Sequence, residues 1–273
     1  MLVDLHTHTT FSDGRLTPAG LVSAAARSGL GAVAITDHDA IDGCLALGAN
    51  PAAIPVVCGI EFSTDDEASE VHILGLGINP RHAQLAETVR VLRRRRLLRI
   101  EMIVDKLTHL GYDLSVDDVL QCARSAHALG RPHAAQALVQ KNYFASVKEA
   151  FQALLHHNGP AYVPHAKLPV REAVDTIHAA GGVAIVAHPG LITAPASFQA
   201  ALAAGVDGIE AFHPRHSAAQ VREYNALAAN QRLLVSGGSD FHAIPGRYPV
   251  NPGMFAIAAN SVRPLLNRLG LLK

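Results

Sequence analysis

Nine residues able to hold a divalent cation stand where apolar, strand-like runs end or begin. Leu2–His6 closes on His6-Thr-His8, with Asp13 soon after, and Ala32–Thr36 runs into Asp37-His38. Pro55–Ile60 is followed by Glu61, and His72 lies at the start of Val71–Leu76. Later runs end in His188-Pro189, in Glu210-Ala-Phe-His213 and in Ser239-Asp240-Phe-His242. Side chains two apart on an extended strand point the same way, so His6 and His8 can grip one ion. Carboxylates can bridge two ions, and neutral imidazoles fill the remaining positions. Taken singly, His72 or His188 reads better as a hydrogen-bonded core histidine. The recurrence of His, Asp and Glu at successive strand ends is what predicts a polynuclear site. Nitrogen and oxygen donors without thiolate suit Mn²⁺, Fe²⁺ or Zn²⁺ better than Ca²⁺ or Cu⁺.

Composition agrees. The 273 residues include 16 histidines against 13 Phe, Tyr and Trp together, an excess that calls for metal or acid–base chemistry. The 23 basic and 23 acidic residues cancel, but residues 1–81 carry −7, residues 82–165 +4 and residues 166–273 +3. An acidic first third suits cation binding, and a basic middle suits an anionic substrate; ordinary solvated surface is the plainer alternative. Cys44, Cys58 and Cys122 have no CxxC spacing, which suggests a reducing compartment and neither a disulfide scaffold nor a cysteine zinc site. No run of about 18 apolar residues exists to cross a membrane. No basic leader with an apolar stretch follows Met1, so the expectation is a cytoplasmic protein with no membrane and no obligate protein partner.

These residues must be positioned by alternating strands and helices. Thr17-Pro18 is an N-cap with proline at the first helical position, opening a helix over Ala19–Ser28. The nine-residue link from Glu61 to Val71 is too short for a parallel crossover, which needs about a dozen residues. A hairpin-like return is therefore expected, bringing His72 beside Glu61. From about Arg81 to Pro164 strand signals vanish, and helical periodicity runs through Leu85–Leu110, Val116–Arg124, His133–Gln140 and Ser146–His157. Residues 82–164 are thus expected to form an all-helical insertion, with residues 1–81 and 165–273 making one domain. The strand–helix pattern then resumes, with strands at Val183–Ala187, Gly208–Phe212 and Leu233–Ser236. Seven hydrophobic strand candidates without a dinucleotide-binding glycine fingerprint predict an α/β barrel, whose C-terminal strand ends carry the site.

In order, strand-end context and spacing, the set from His6-x-His8 to Asp240-x-His242 resembles the PHP family, named for polymerase and histidinol phosphatase, within the wider amidohydrolase group. The resemblance implies a distorted seven-stranded TIM-like β/α barrel with a helical insertion covering the active site, and with two or three divalent ions, Mn most of all, Zn or Fe otherwise. It assigns His6, His8, Glu61 and Asp240 to one ion, Glu61, His72 and His188 to a second, and Asp13, His38 and His242 to a third. Leu129-Gly-Arg-Pro-His133 further resembles a bacterial subgroup that releases the 3′-phosphate of nucleoside 3′,5′-bisphosphates and in some members trims 5′-phosphorylated RNA.

The expected reaction is attack on phosphorus by a hydroxide held between two ions, with Asp240 orienting it and His213 as general acid. Arg131, His133 and Arg215 are the candidates for the retained phosphate, because a guanidinium binds phosphate bidentately. For Arg131 the alternative is a local role at the start of its helix. Arg93–Arg96, flanked by Arg90 and Arg99, fans around a helix instead of forming one patch, and a solvated face is the plainer reading. A histidinol-phosphate type of monoesterase, a C–N hydrolase and a non-catalytic metal-binding module are the alternatives to a nucleotide phosphatase.

Overall fold

The structure, a computed structural model, describes residues 1–47, 53–65, 69–123, 129–165 and 167–272. It divides into one compact unit of residues 1–89 and 167–273 and a second of residues 90–166.

The first unit is built on a sheet of β1 (Leu2–Asp4), β2 (Leu30–Ile35), β3 (Val56–Asp65), β4 (Glu70–Leu76), β5 (Leu168–Pro169), β6 (Val183–Val186), β7 (Gly208–Phe212), β8 (Leu234–Gly237) and β9 (Ile257–Ala258). Their order is β8-β7-β6-β4-β3-β2-β1-β9, with β5 joined to the end of β3. The ring itself uses seven strands; β5 and β9 are two-residue additions too short to carry a periodic signal. Strand β4 is antiparallel to both β3 and β6, as the short link after Glu61 requires. The ring closes just past the named strands. Leu5 N–H donates to the Gly237 carbonyl (3.2 Å), Asp240 N–H to His6 (2.9 Å) and His8 N–H to Phe241 (2.9 Å). This is the expected seven-stranded α/β barrel.

Closure needs a residue without a side chain at Gly238. A Cβ there would lie 2.2 Å from His6 Cβ and 2.5 Å from its backbone nitrogen. Gly238→Ala is expected to cost about 3 kcal/mol or more, since a packed backbone has to move. A urea melt of the variant with an unchanged midpoint would contradict this.

Helices α1 (Pro18–Arg27), α7 (Val170–Ala179), α8 (Pro195–Ala203) and α9 (Ala218–Gln231) alternate with the strands. Thr17 caps α1 by accepting from Gly20 N–H, with Pro18 in the first turn. Two short helices, α2 (Asp42–Leu47) and α10 (Arg263–Arg268), complete the unit; α2 was not apparent from periodicity because it makes fewer than two turns. Ala34, Val57 and Leu74 share one core cluster with Val3, Leu5, Ile185 and α10 residues Leu265 and Leu266. Because strand side chains alternate with period two, the parity that buries these residues carries His38, Glu61 and His72 at the rim.

In the second unit, helix α3 (Ala83–His109), which begins in the first, is followed by α4 (Val116–Ala123), α5 (Arg131–Gln140) and α6 (Val147–Ala150). Arg124, the expected end of the second of these, lies outside the described residues. Ile100, Ile103, Val104 and Leu107 recur at helical spacing and pack with Leu138 and Leu155 in a separate core. The arginine run departs from a solvated face. Arg96 and Arg99 are buried, donating to the carbonyls of Leu129 (3.1 Å) and Val163 (2.9 Å). A guanidinium on an aliphatic stem can cross a core and satisfy a carbonyl that has left its helix. The helix expected to 157 changes to a wider π turn at Phe151–Leu155.

Candidate metal centre

The strand ends converge as their order demands. One carboxylate, Glu61, stands at the middle, fully buried; it lies inside β3 and not at its end as expected, because pairing with β4 carries the strand on to Asp65. Its Oε1 is 2.7 Å from His72 Nδ1 and 2.9 Å from His188 Nε2. Its Oε2 is 3.1 Å from His6 Nε2, 3.2 Å from His8 Nε2 and 3.1 Å from His38 Nδ1. Five imidazoles thus face the two oxygens of one side chain. The hairpin expectation is met here: His72 pairs with Ser63 and reaches Glu61.

Three groups have donor atoms within 4.8 Å of one another: His6, His8, Glu61 and Asp240; His8, Asp13, His38 and His242; and His38, Glu61 and His72. All nine sequence-identified ligands therefore assemble in one place, His188 through its contact with Glu61. Asp13 Oδ1 approaches His242 Nε2 at 3.1 Å. Asp240 Oδ1 lies 3.3 Å from His8 Nε2 and 3.4 Å from His242 Nδ1.

The donor atoms fit a cluster of cations. His6 Nε2, His8 Nε2, Asp13 Oδ1, His38 Nδ1 and Glu61 Oε2 are buried without a hydrogen-bond partner, although they face one another. Orphaned buried donors are costly, and a divalent ion is the partner that nitrogen and carboxylate oxygen share. The charges depend on one another: burial would lower the imidazoles of His6, His8 and His72, but the carboxylates around them raise His6 well above its usual range, His8 to about 9 and His72 to about 10. Burial would raise the Glu61 carboxyl, but His38, His6 and His72 outweigh it and hold it well below the usual range. Burial, ahead of its charged neighbours, pushes His38 down to about 4, leaving its lone pair available at neutral pH.

Behind the ligands lies a ring of carboxylates that sequence reading missed or assigned differently. Asp4 takes the His6 and Ser239 N–H groups and the Ser239 hydroxyl, tying the strand β1 end to the Asp240 loop. Burial lifts its pKa to about 6. Asp37 accepts from Thr9 N–H, Thr9 Oγ1 and Ser12 Oγ, each at 2.7 Å, fixing the loop between His8 and Asp13. Asp39 receives Ser63 N–H (2.9 Å). Glu210 receives His188 N–H and faces His6 Nδ1. Their roles are set by partners remote in sequence, which no local spacing reveals.

His213 is buried, with Nε2 3.8 Å from Asp240 Oδ2 and without a hydrogen-bond partner. Its Nδ1 accepts Arg215 N–H (3.2 Å). Arg247, unsuspected from sequence, donates to Asp240 Oδ2 at 2.7 Å. Arg215 is exposed. Arg131 and His133 belong to the second unit: Arg131 lies against the Phe151 and Tyr162 rings (5.1 and 5.3 Å) and donates to Leu155 O (2.9 Å). His133 Nδ1 accepts Gly130 N–H (3.2 Å) at the start of α5. Among the described residues no helix is long and apolar enough to cross a membrane.

The chain is similar in sequence and fold to known proteins. The PHP domain model matches residues 4–156. A phosphoribosyl 1,2-cyclic phosphate 1,2-diphosphodiesterase of Eggerthella lenta is 33% identical over 91% of this chain and 97% of its own. A 3′,5′-nucleoside bisphosphate phosphatase of Chromobacterium violaceum is 34% identical over 89% and 88%. The 5′-3′ exoribonuclease Rnm of Escherichia coli is 32% identical over 89% and 85%. The solved structure of an amidohydrolase from Chromobacterium violaceum, with bound sulfate and no metal, superposes with a TM-score of 0.83 at 31% identity over 98% of this chain and 95% of that one. The three relatives are named for the hydrolysis of different phosphoric esters, and the chain belongs with them to the PHP family of metal-dependent phosphoric-ester hydrolases.

Proposed function

We propose that this protein removes the 3′-phosphate from nucleoside 3′,5′-bisphosphates and also acts on short 5′-phosphorylated RNA. The observation that carries the reading is Glu61 facing five imidazoles, with Asp240 and Asp13 completing three donor groups, together with the likeness to the Chromobacterium phosphatase. His6, His8, Glu61 and Asp240 would hold one ion, Glu61, His72 and His188 a second, and Asp13, His38 and His242 a third, manganese being the choice for this donor set. When bound, such ions neutralise phosphoryl oxygens and lower the pKa of water.

The remaining work falls to the chain. Asp240 presents Oδ1 to His8 and Oδ2 to His213 and Arg247, so one oxygen would be free to hold an ion while the carboxylate orients the attacking oxygen. Burial opposes ionisation of Asp240, but His213 and His8 keep its carboxyl well below the usual range. Because Nδ1 of His213 accepts a backbone N–H, its proton belongs on Nε2, which faces the site. His213 is then a hydrogen-bond donor to the leaving oxygen. Transfer of a full proton would leave an imidazolate unless Nδ1 were also protonated, against the Arg215 N–H. Arg131, His133 and Arg215 are assigned to the phosphate that is held and not cleaved.

The test is phosphate release by Mn²⁺-loaded protein from adenosine 3′,5′-bisphosphate and from adenosine 5′-monophosphate at matched concentrations. Fast release from the bisphosphate alone supports the reading, and equal rates remove the retained-phosphate clamp. A second reading, favoured by the likeness to the Eggerthella diesterase, is hydrolysis of a phosphoribosyl cyclic phosphate. That ester assayed alongside, turned over while the bisphosphate is not, replaces the first reading with the second.

A further inference from the structure

Glu210 belongs to none of the three donor groups, yet it is fully buried and touches two of their neighbours. From β7 it places Oε1 3.0 Å from His6 Nδ1 and takes His188 N–H on Oε2 at 2.6 Å. His6 lies at the end of β1 and His188 just past β6, so one side chain links three strand ends. The two contacts have different consequences. An imidazole that gives its Nδ1 proton to a carboxylate has its lone pair on Nε2, and His6 Nε2 is the atom 3.1 Å from Glu61. His188 has φ 27° and ψ 59°, a backbone conformation that a residue with a side chain adopts only when its surroundings hold it. Its N–H has left the sheet for Glu210, and its Nε2 reaches the other oxygen of Glu61. The turn is held from a second point two residues on. Gly190 N–H donates to His216 Nε2, while His216 Nδ1 donates to Ala211 O (2.9 Å) on the same strand as Glu210.

We infer that Glu210 is a positioning residue of the metal centre, one oxygen fixing the proton of His6 on Nδ1 and the other holding the His188 backbone in the turn that delivers its ring to Glu61. The inference rests on Glu61 being the shared ligand. Glutamine is nearly isosteric but has one oxygen. If its oxygen takes His6, its amide N–H₂ is set against His188 N–H, so one contact or the other is lost.

The experiment uses the full chain, stripped with chelator and labelled with ¹⁵N-histidine. Mn²⁺ affinity is measured by calorimetry, the His6 tautomer by long-range ¹H–¹⁵N correlation in the metal-free state at a pH high enough to leave His6 neutral, and stability by melting. Glu210→Gln is expected to weaken Mn²⁺ binding ten- to a hundredfold, as loss of a group supporting a ligand does, and to mix the His6 tautomers or shift them toward Nε2–H. Glu210→Asp keeps the charge but retracts it by one methylene, and it carries the same expectation should the glutamine variant not fold. A lower melting temperature with affinity and tautomer unchanged makes Glu210 a structural strut and overturns the inference. Wild-type protein that takes up no Mn²⁺ would remove the shared-ligand reading, and the His6 tautomer in the variants then decides the role of Glu210 by itself.

Discussion

Glu61→Gln is expected to lower kcat by three to four orders of magnitude. The substitution keeps size and one acceptor oxygen but gives up the negative charge and turns the second oxygen into a donor. Both oxygens are in use: Oε1 between His72 and His188, Oε2 among His6, His8 and His38. An amide N–H₂ among lone pairs shared with cations repels them, so two donor groups lose their common member. Charge stabilisation worth several kcal/mol, about 4 to 5, corresponds to that rate loss. Steady-state assay at saturating Mn²⁺, with circular dichroism to establish folding, checks it. A folded variant keeping a tenth of wild-type kcat would show that Glu61 is not the shared ligand.

The second large effect concerns His213. His213→Ala removes the buried imidazole beside Asp240 Oδ2 and is expected to reduce kcat about 10²- to 10³-fold, the usual loss for one positioned donor. His213→Gln restores an N–H in a similar place and is expected to return to within about tenfold of wild type, because the Arg215 N–H already occupies Nδ1. The sequence-based assignment as general acid makes the opposite prediction: glutamine cannot transfer a proton, and the two variants would be equally slow. The ratio of the two rates therefore separates hydrogen bonding from proton transfer.

How much of this was legible in the residues differs by contact range. The convergence of the candidate ligands was, since His6-x-His8, Thr36-Asp37-His38 and Asp240-x-His242 are local patterns and strand order brings them to one face. The reversal at β4 was legible from a link too short for a crossover. The supporting carboxylates were not. Asp4 meets Ser239, Asp37 meets Thr9 and Ser12, and Glu210 meets His6; each pairing depends on strand register, to which a single residue gives no clue. The same reason hid Arg247, whose position follows from a loop bending back onto Asp240. Arg96 and Arg99 misled in the other direction, because charge suggests solvent while their actual partners are buried carbonyls.

The seam between β1 and the segment after β8 has a consequence for how the protein is made. Asp4 and Ser239 bond across 235 positions, and Asp240 and His242 complete two of the donor groups. A chain emerging from the ribosome carries seven of the nine ligands long before the last two exist. Contacts of such sequence separation form slowly, after the loop entropy between them has been lost. The two donor groups that include Asp240 or His242 are therefore complete only once the segment after β8 has been made. An N-terminal fragment released early would hold crowded histidines and carboxylates without the seam that organises them, a natural target for quality control by proteolysis.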